Sequence, residues 1–265
     1  MEAGGGALDG MGRGVSRLPR PLVIAHRGAS GELPENTLPA YELALAQGSD
    51  MIEIDLHTSR DGAIVITHDA SLERLGGRGE VADATLEEIR RLDAGGGAAV
   101  PTLGEVLDAY GARIPFNLEL KRSSRGEYPG MEAASVEEVA RRGLLEQTLF
   151  SSFFDPVLDA LRQVSPKARL ALLISPKFPG GAIARAKKVG AEALNPQRSL
   201  VNRELVESAH GEGLAVYVFT VDDGEEMRRM LDIGVDGLFT NHPRRMRTLL
   251  ASRQGADRVD RRSLA

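Results

Sequence analysis

A regular alternation of strand-like and helix-like segments is the feature that most constrains the fold of this chain. Eight short apolar runs typical of buried β-strands are each followed by a segment of helical periodicity, the first run beginning at Leu22 and the last at Gly237. Eight such units favour a parallel sheet closed into an α/β TIM (β/α)8 barrel. A doubly wound open sheet is the alternative, but no G-x-G-x-x-G follows the first strand.

The size and composition of the chain fit one large domain. The 265 residues are 42% apolar and 27% charged, which is enough for a full-sized core. We place the barrel at 21–252, with an insertion after the second strand at about 70–100, where glycines interrupt the periodic pattern. The glycine-rich residues 1–20 are predicted to be a disordered lead-in, within which Met11 is an alternative start to Met1. Residues 253–265 are predicted to form a polar tail.

Charge and cysteine content exclude several function classes. A net charge of −5 and a pI near 5.7 argue against a nucleic-acid surface, although a local phosphate site stays compatible with them. The absence of cysteine excludes disulfides and thiolate metal ligands and is compatible with the cytosol. No apolar run has the length of a membrane helix. We expect a cytoplasmic protein with a small-molecule partner; a monomer and a homo-oligomer both stay open.

Acidic side chains on two strands predict a metal site. Because strand side chains alternate, Glu53 and Asp55 share one face of their strand, and Glu119 and Lys121 share one face of another. The apolar residues between them must pack on helices, so the acidic set points into the barrel, where a cation has to neutralise it. An all-oxygen ligand set favours Mg²⁺, Ca²⁺ or Mn²⁺ over zinc. The alternatives are a solvated strand face for the E-x-D pair and an internal ion pair for Lys121.

Basic and imidazole groups follow the same strands. His26 and His68 each end a β-run at the predicted carboxyl face, where they can serve as general acid and general base, although a lone histidine is more often structural. Arg27 precedes Gly28 and offers a fork for two phosphate oxygens; its alternative is a surface salt bridge. With Lys121 as a phosphate contact, the set is typical of phosphate-ester chemistry.

Each of the other polar residues near these positions has two possible roles. His57 either supports the site or simply packs, and His242 is structural or exposed, although it borders the predicted active face. Glu35 is either a neighbour of the site or part of a turn. Either Asn36 or Thr37 can cap the helix that follows.

Taken together, the motifs resemble those of the glycerophosphodiester phosphodiesterase family. H-R-G-x-x-G-x-x-P-E-N-T, E-x-D, D-G-x-x-V-x-x-H-D and N-x-E-x-K carry the resemblance, which P-T-L-x-E-V-L and G-V-D-G-L-F-T-N-x-P extend over about Leu22 to Met246. The resemblance implies a metal-dependent TIM-barrel hydrolase that converts glycerophosphodiesters to an alcohol and sn-glycerol 3-phosphate. The glycerol 2-hydroxyl would attack phosphorus, and water would then open the cyclic phosphate.

The resemblance also implies roles for individual residues. One divalent ion, Mg²⁺ or Ca²⁺ with Mn²⁺ as a third option, would be bound by the three carboxylates. The implied metal ligands are Glu53, Asp55 and Glu119, the acid/base pair is His26 and His68, and the phosphate contacts are Arg27 and Lys121.

Two segments depart from the family pattern. Where many members have V-x-x-W-T-V-N, this chain has V-Y-V-F-T-V-D, which places Phe219 as the apolar wall for the glycerol carbons and Asp222 at the last position. The segment after His68 often contains R-T-T, whereas this chain has an arginine, leucine and glycine at 74–76.

Two further functions are alternatives to this one. A lysophospholipase D-like activity on lipids would favour an apolar rim, and the aromatic content is only 4%. A non-catalytic phosphate-ligand binding protein on the same fold would be expected to lack an acid, base or ligand, and all of those positions are filled.

Overall fold

The computed structural model describes residues 20–263, with side chains to residue 253. The predicted lead-in lies outside these residues except for Arg20. The strands are β1 Leu22–His26, β2 Met51–Thr58, β3 Ile64–Ile66, β4 Phe116–Leu120, β5 Thr148–Ser152, β6 Arg169–Ile174, β7 Ala193–Pro196, β8 Ala215–Val218 and β9 Gly237–Thr240. The helices are α1 Leu38–Ala46, α2 Leu86–Ile89, α3 Leu103–Tyr110, α4 Met131–Ala140, α5 Asp155–Val164, α6 Ala182–Lys188, α7 Arg203–Gly211, α8 Gly224–Ile233 and α9 Pro243–Ser263.

The sheet closes on itself. Its order is β1-β9-β8-β7-β6-β5-β4-β2-β3, and β1 also pairs with β2, so that β1 has a parallel neighbour on each side. All of the pairings are parallel except that of β3, which runs antiparallel on β2. The eight parallel strands therefore form the predicted (β/α)8 barrel, and the open doubly wound sheet is excluded.

Strand register brings the polar residues of β1, β2 and β4 to two successive levels at one end of the barrel. His26 lies opposite Glu53, Glu53 lies opposite Asn117, and Asp55 lies opposite Glu119. Because the three strands are adjacent and parallel, these side chains converge at their carboxyl ends.

Apolar residues separate this layer from the rest of the molecule. The alternate residues of β2 and β4, such as Ile54 and Leu118, are fully buried against the helices. Inside the barrel, an apolar plug fills the lower end below the polar layer. It consists of Ile24, Met51, Leu149, Ala171, Ala193, Tyr217 and Phe239.

Helix starts follow from local capping. Thr37 caps α1 by accepting a hydrogen bond from the backbone N–H of Ala40, which decides between the two predicted caps. Thr102 and Glu105 form a capping box at the start of α3. Helix α9 begins at Pro243 as predicted but continues to Ser263, beyond the predicted end at residue 251.

The segment between β2 and α3 holds the insertion. It contains β3, two short 3-10 helices at Glu73–Leu75 and Val81–Asp83, and α2. A small apolar cluster of its own includes Val65, Val81 and Ile89. Among the described residues, no helix combines the length and apolar character needed to cross a membrane.

Candidate active site

A cavity of about 370 Å³ opens at the carboxyl ends of the strands. A larger groove of about 620 Å³ beside α9 has four arginines among its ten lining residues and lies apart from the carboxylate cluster. The predicted site residues His26, Arg27, Glu53, Glu119, Lys121, His68 and Phe219 all line the smaller cavity. Asp55 lies directly behind it, in contact with both cations.

Three buried carboxylates cluster on one side of the cavity, which Glu53 and Glu119 line with Asp55 behind them. One oxygen from each of Glu53, Asp55 and Glu119 lies within 4.8 Å of the others. Their exposures are 2%, 0% and 8%, so the alternative of a solvated strand face does not hold. Within the described residues, Glu53 Oε1 accepts no hydrogen bond. A buried oxygen without a donor is costly, and it is the arrangement expected of a metal ligand.

Burial and mutual repulsion set the electrostatics of this cluster. Burial, with Asp55 and Glu119 nearby, holds the pKa of Glu53 well above its usual range. Burial also acts to raise the pKa of Asp55, but Lys121 and Arg27 outweigh it and hold that pKa far below its usual value. Burial raises the pKa of Glu119 against the opposing effect of Lys121. The cluster therefore carries less negative charge than three free carboxylates would.

Two cations flank Asp55. The Arg27 Nε atom lies 3.1 Å from Asp55 Oδ2, and the Lys121 Nζ atom lies 2.9 Å from Asp55 Oδ1 and 2.5 Å from Glu119 Oε1. Asn36 adds a third contact, since its Nδ2 donates to Asp55 Oδ2 at 2.8 Å. Lys121 is thus an internal ion-pair partner, which is the alternative named for it above, and it also faces the cavity.

The backbone at Arg27 is strained so that its side chain enters the site. Its φ of 57° lies in the left-handed region, followed by Gly28 at 86°. Such a conformation in a non-glycine residue costs on the order of 1–3 kcal/mol. The Arg27 N–H is held by Glu53, whose backbone O and Oε2 both accept from it at 3.0 Å. A Cβ on Gly28 would lie 2.8 Å from the carbonyl carbon of Ala40, so the turn needs glycine there.

His26 lies beside the carboxylates with its two ring nitrogens in different surroundings. Nδ1 is 2.8 Å from Asn241 Oδ1, and Nε2 is 3.9 Å from Glu53 Oε2. Burial, reinforced by the charge of Arg27, lowers the pKa of His26 to about 4. The ring is therefore neutral at physiological pH.

His68 begins a chain of hydrogen bonds and ion pairs across the mouth of the cavity. Its Nδ1 is 2.8 Å from Asp69 Oδ1, and Arg74 Nη1 donates to Asp69 Oδ2 at 3.2 Å. Arg74 also lies 3.1 Å from Glu35 Oε1, and Arg27 Nη1 donates to Glu35 Oε2 at 3.0 Å. The insertion thus reaches the site through Arg74, and Glu35 is a neighbour of the site rather than only a turn residue.

His57 supports the His68 segment from below. Its Nε2 is 3.2 Å from the backbone O of His68, which can only accept, so Nε2 carries the proton. Its Nδ1 then accepts from the Tyr128 hydroxyl at 2.6 Å. Burial lowers the pKa of His57 to about 4 and raises that of Tyr128 well above its usual range. His57 is therefore neutral and ties β2 to the loop after β3.

The far side of the cavity is aromatic. The ring of Phe219 makes edge-to-face contacts with Phe153 at 5.8 Å and with Phe239 at 6.5 Å between centroids. One side of the cavity is therefore charged and the other has an aromatic wall, beside which Gln197, Arg198 and Thr220 also line the cavity. Sequence reasoning missed the supporting residues Asn36, Asp69, Tyr128 and Asn241, although Asn241 directly follows the last barrel strand and so lies at the active face.

Comparison with known proteins decides the family. The sequence profile of the glycerophosphoryl diester phosphodiesterase family matches residues 26–245. The chain belongs to this family. A glycerophosphodiester phosphodiesterase of Bacillus subtilis is 35% identical over 84% of this chain and 84% of its own length. One from Caldanaerobacter subterraneus is 36% identical over 84% of this chain and 95% of its own.

A solved structure that is similar to this chain contains a bound product of that protein. A phosphodiesterase from Oleispira antarctica, in complex with the product sn-glycerol-3-phosphate, is 31% identical with a TM-score of 0.78, covering 88% of this chain and 97% of its own. The chain is therefore an enzyme, a phosphoric diester hydrolase with glycerophosphodiester phosphodiesterase activity. This confirms the predicted reaction class and excludes the non-catalytic alternative.

Proposed function

We propose that this enzyme uses one divalent metal ion to hydrolyse glycerophosphodiesters such as glycerophosphocholine or glycerophosphoethanolamine to an alcohol and sn-glycerol 3-phosphate. The observation that carries the proposal is the donor-free buried Glu53 Oε1 beside Asp55 and Glu119, in a cavity that His26 and His68 also line. The product bound to the Oleispira antarctica relative is consistent with it.

The carboxylate cluster fits a hard divalent ion. Glu53, Asp55 and Glu119 offer oxygen atoms only, and the spread of 4.8 Å matches oxygens that share one ion at about 2.0–2.6 Å. Mg²⁺ and Ca²⁺ are the ions proposed, with Mn²⁺ as the third option. A bound ion supplies Lewis-acid stabilisation of charge on the phosphoryl oxygens.

Arg27 and Lys121 are proposed to contact the phosphate. Both side chains are largely buried and both face the cavity, where low polarity strengthens their attraction for an anion. Burial acts to lower the pKa of Lys121, but Asp55 and Glu119 outweigh it and raise that pKa, so the ammonium stays charged. Phe219, on the apolar side, is proposed as the wall for the glycerol carbons.

His26 and His68 are proposed as the acid/base pair. One imidazole removes the proton of the glycerol 2-hydroxyl as that oxygen attacks phosphorus, and the other donates a proton to the departing alcohol. Water then opens the resulting cyclic phosphate, with the two histidines exchanging roles. The ion pairs of Asp69 and Arg74 hold the His68 ring at the mouth.

The test measures release of glycerol 3-phosphate from glycerophosphocholine with Mg²⁺, with Ca²⁺ and with chelator. We expect metal-dependent release that is lost in Glu53→Ala and in His26→Ala, whereas Glu207→Ala, which removes an exposed carboxylate on α7, retains it. Lysophosphatidylcholine serves as the second substrate. Chelator-resistant release would refute the metal requirement, and preference for the lysolipid would replace the substrate assignment.

A cytosolic location stays a proposal, supported by the cysteine-free composition. Fractionation of cells that express the full chain tests it, and recovery in the membrane or secreted fraction would contradict it.

A further inference from the structure

A network of hydrogen bonds behind His26 lies outside the residues proposed for catalysis. Asn241 Oδ1 is 2.8 Å from His26 Nδ1, and Asn241 Nδ2 donates to Asp222 Oδ2 at 2.7 Å. The other oxygen of Asp222 accepts from the backbone N–H of Asn241 at 2.7 Å and from Thr240 Oγ1 at 3.0 Å. Asp222 therefore receives three hydrogen bonds from the last residue of β9 and the residue after it.

These contacts allow one orientation of the Asn241 amide. A carboxylate has no proton to donate, so the side of the amide that faces Asp222 must be its NH₂ group. The amide oxygen then faces His26. Ser30 Oγ lies 2.8 Å from Asn241 Oδ1 and 2.7 Å from the backbone O of His26, and its single proton is donated to one of these two acceptors at a time.

The orientation of the amide fixes the tautomer of His26. Asn241 Oδ1 can only accept, so His26 Nδ1 must carry the ring proton. In the neutral ring the lone pair is then on Nε2, the nitrogen 3.9 Å from Glu53 Oε2 on the cavity side. The opposite tautomer would turn an N–H toward the substrate and leave Nδ1 without its partner.

We infer that Asp222 and Asn241 are positioning residues that lock His26 in the Nδ1–H tautomer and hold its Nε2 lone pair toward the substrate. The inference rests on the proposed role of His26 in catalysis. Asp222 acts through Asn241 and Asn241 acts through the ring; the cavity-lining residues do not include either of them. Barrel closure makes this possible, because β9 pairs with β1 and places the residue after one strand beside the end of the other.

Asp222→Asn is the decisive variant, because it keeps size and shape while removing the acceptor-only side chain. The backbone N–H of Asn241 then pairs with the amide oxygen at position 222, so the new NH₂ group faces the Asn241 amide and favours its opposite orientation. The preference of His26 for the Nδ1–H tautomer is thereby lost. We expect kcat to fall about 10- to 100-fold, as for other residues that orient a catalytic group, with KM changed by less than about threefold. Asp223→Asn is the matched control, since Asp223 caps α8 through the backbone N–H of Glu225 and Glu226, a role that asparagine also fills.

A double variant separates positioning from structural damage. Asp222→Asn with Asn241→Asp places a carboxylate where it accepts from His26 Nδ1–H, with an amide at 222 to donate to it. We expect this pair to recover kcat to within about threefold of the wild-type enzyme, although each single change lowers it. A double variant no better than Asp222→Asn would overturn the inference.

The tautomer itself is read by ¹⁵N NMR of the imidazole nitrogens in the full chain, with His26 assigned from a His26→Gln sample. The wild-type and Asp223→Asn proteins should show a protonated Nδ1 and an unprotonated Nε2, and in Asp222→Asn the population with a protonated Nδ1 should fall. An unchanged tautomer in Asp222→Asn would refute the inference. If His26→Gln retains activity while the tautomer shifts as described, the network stands and the catalytic role of His26 is withdrawn.

Discussion

Replacing Glu53 with glutamine should change stability in opposite directions with and without metal. The side chain is 2% exposed, and burial beside Asp55 and Glu119 raises its pKa well above the ordinary 4.5. In the metal-free protein, the folded state keeps this proton to a higher pH than the unfolded state does. Stability is therefore lost as pH rises above 4.5, by up to about 1.4 kcal/mol per pH unit, until the folded-state pKa is reached. Glutamine cannot ionise and avoids that loss.

The packing around position 53 also suits an amide. The Gln Oε1 atom can accept the hydrogen bond from the Arg27 N–H that Glu53 Oε2 now accepts. Its NH₂ group takes the place of Glu53 Oε1 and faces the other two carboxylates, to which it can donate. We therefore expect the metal-free Glu53→Gln protein to melt at a higher temperature than the wild type at pH 7.5.

Bound metal should reverse the order of the two melting temperatures, so that the wild type melts above Glu53→Gln. At a metal concentration 100 times Kd, binding stabilises the wild-type protein by about 2.7 kcal/mol. For a domain of this size that corresponds to a rise in Tm of about 5–10 °C. Glu53→Gln lacks one anionic ligand and should show little of this rise.

Differential scanning calorimetry with chelator and with added Mg²⁺ or Ca²⁺ measures both effects, and Glu207→Gln on the exposed face of α7 controls for the loss of a surface charge. Equal metal-induced shifts in wild type and Glu53→Gln would refute the ligand assignment. A lower Tm for the metal-free variant would refute the account of its electrostatics.

Three further predictions concern the surroundings of the site. Burial lowers the pKa of His57 to about 4 from 6.5, so the unfolded state takes up this proton at a higher pH than the folded state does, and the free energy of unfolding decreases as pH falls from 6.5 to 4. Urea titrations should show a smaller decrease for His57→Gln than for the wild type. The same dependence of unfolding free energy on pH in both proteins would contradict this. Phe219→Ala should raise KM about tenfold with a smaller change in kcat, whereas Phe219→Leu, which keeps an apolar side chain, should leave KM nearly unchanged. Steady-state kinetics measures both constants, and circular dichroism checks that each variant is folded. Arg74→Ala should cost less than about 1 kcal/mol of stability, since Arg74 is 61% exposed. It should nevertheless lower kcat/KM up to about tenfold, because Asp69 loses its ion pair with Arg74 and holds His68 less firmly. An unchanged kcat/KM would show that this ion pair does not affect catalysis.

Most of the predictions made from the sequence depend on the alternation of side chains along the strands. A period of two residues assigns Glu53 and Asp55 to the interior wherever the intervening residues are apolar, and parallel strands bring them to the same end as Glu119. The barrel itself followed from the number and order of strand–helix units. These inferences need only local pattern and chain order.

The contacts that support the site residues could not be predicted from any pattern in the sequence. Asn36 looks like a cap in the sequence, yet Thr37 takes that role and Asn36 donates to Asp55 instead. Tyr128 is 71 positions from its partner His57, and no periodicity links the two. Arg74 lies in the insertion, where glycines interrupt the pattern. Each of these contacts depends on how loops fold over the strand ends, which packing decides.

The closure of the barrel has a consequence for how the enzyme is made. His26, near the beginning of the described chain, is held by Asn241, and the strand on which it lies pairs with β9 at the other end. A ribosome has thus synthesised nearly every strand and helix before the first histidine of the site can acquire its partner. Nonsense mutations anywhere before β9 should yield inactive fragments, and activity should appear abruptly, late in translation.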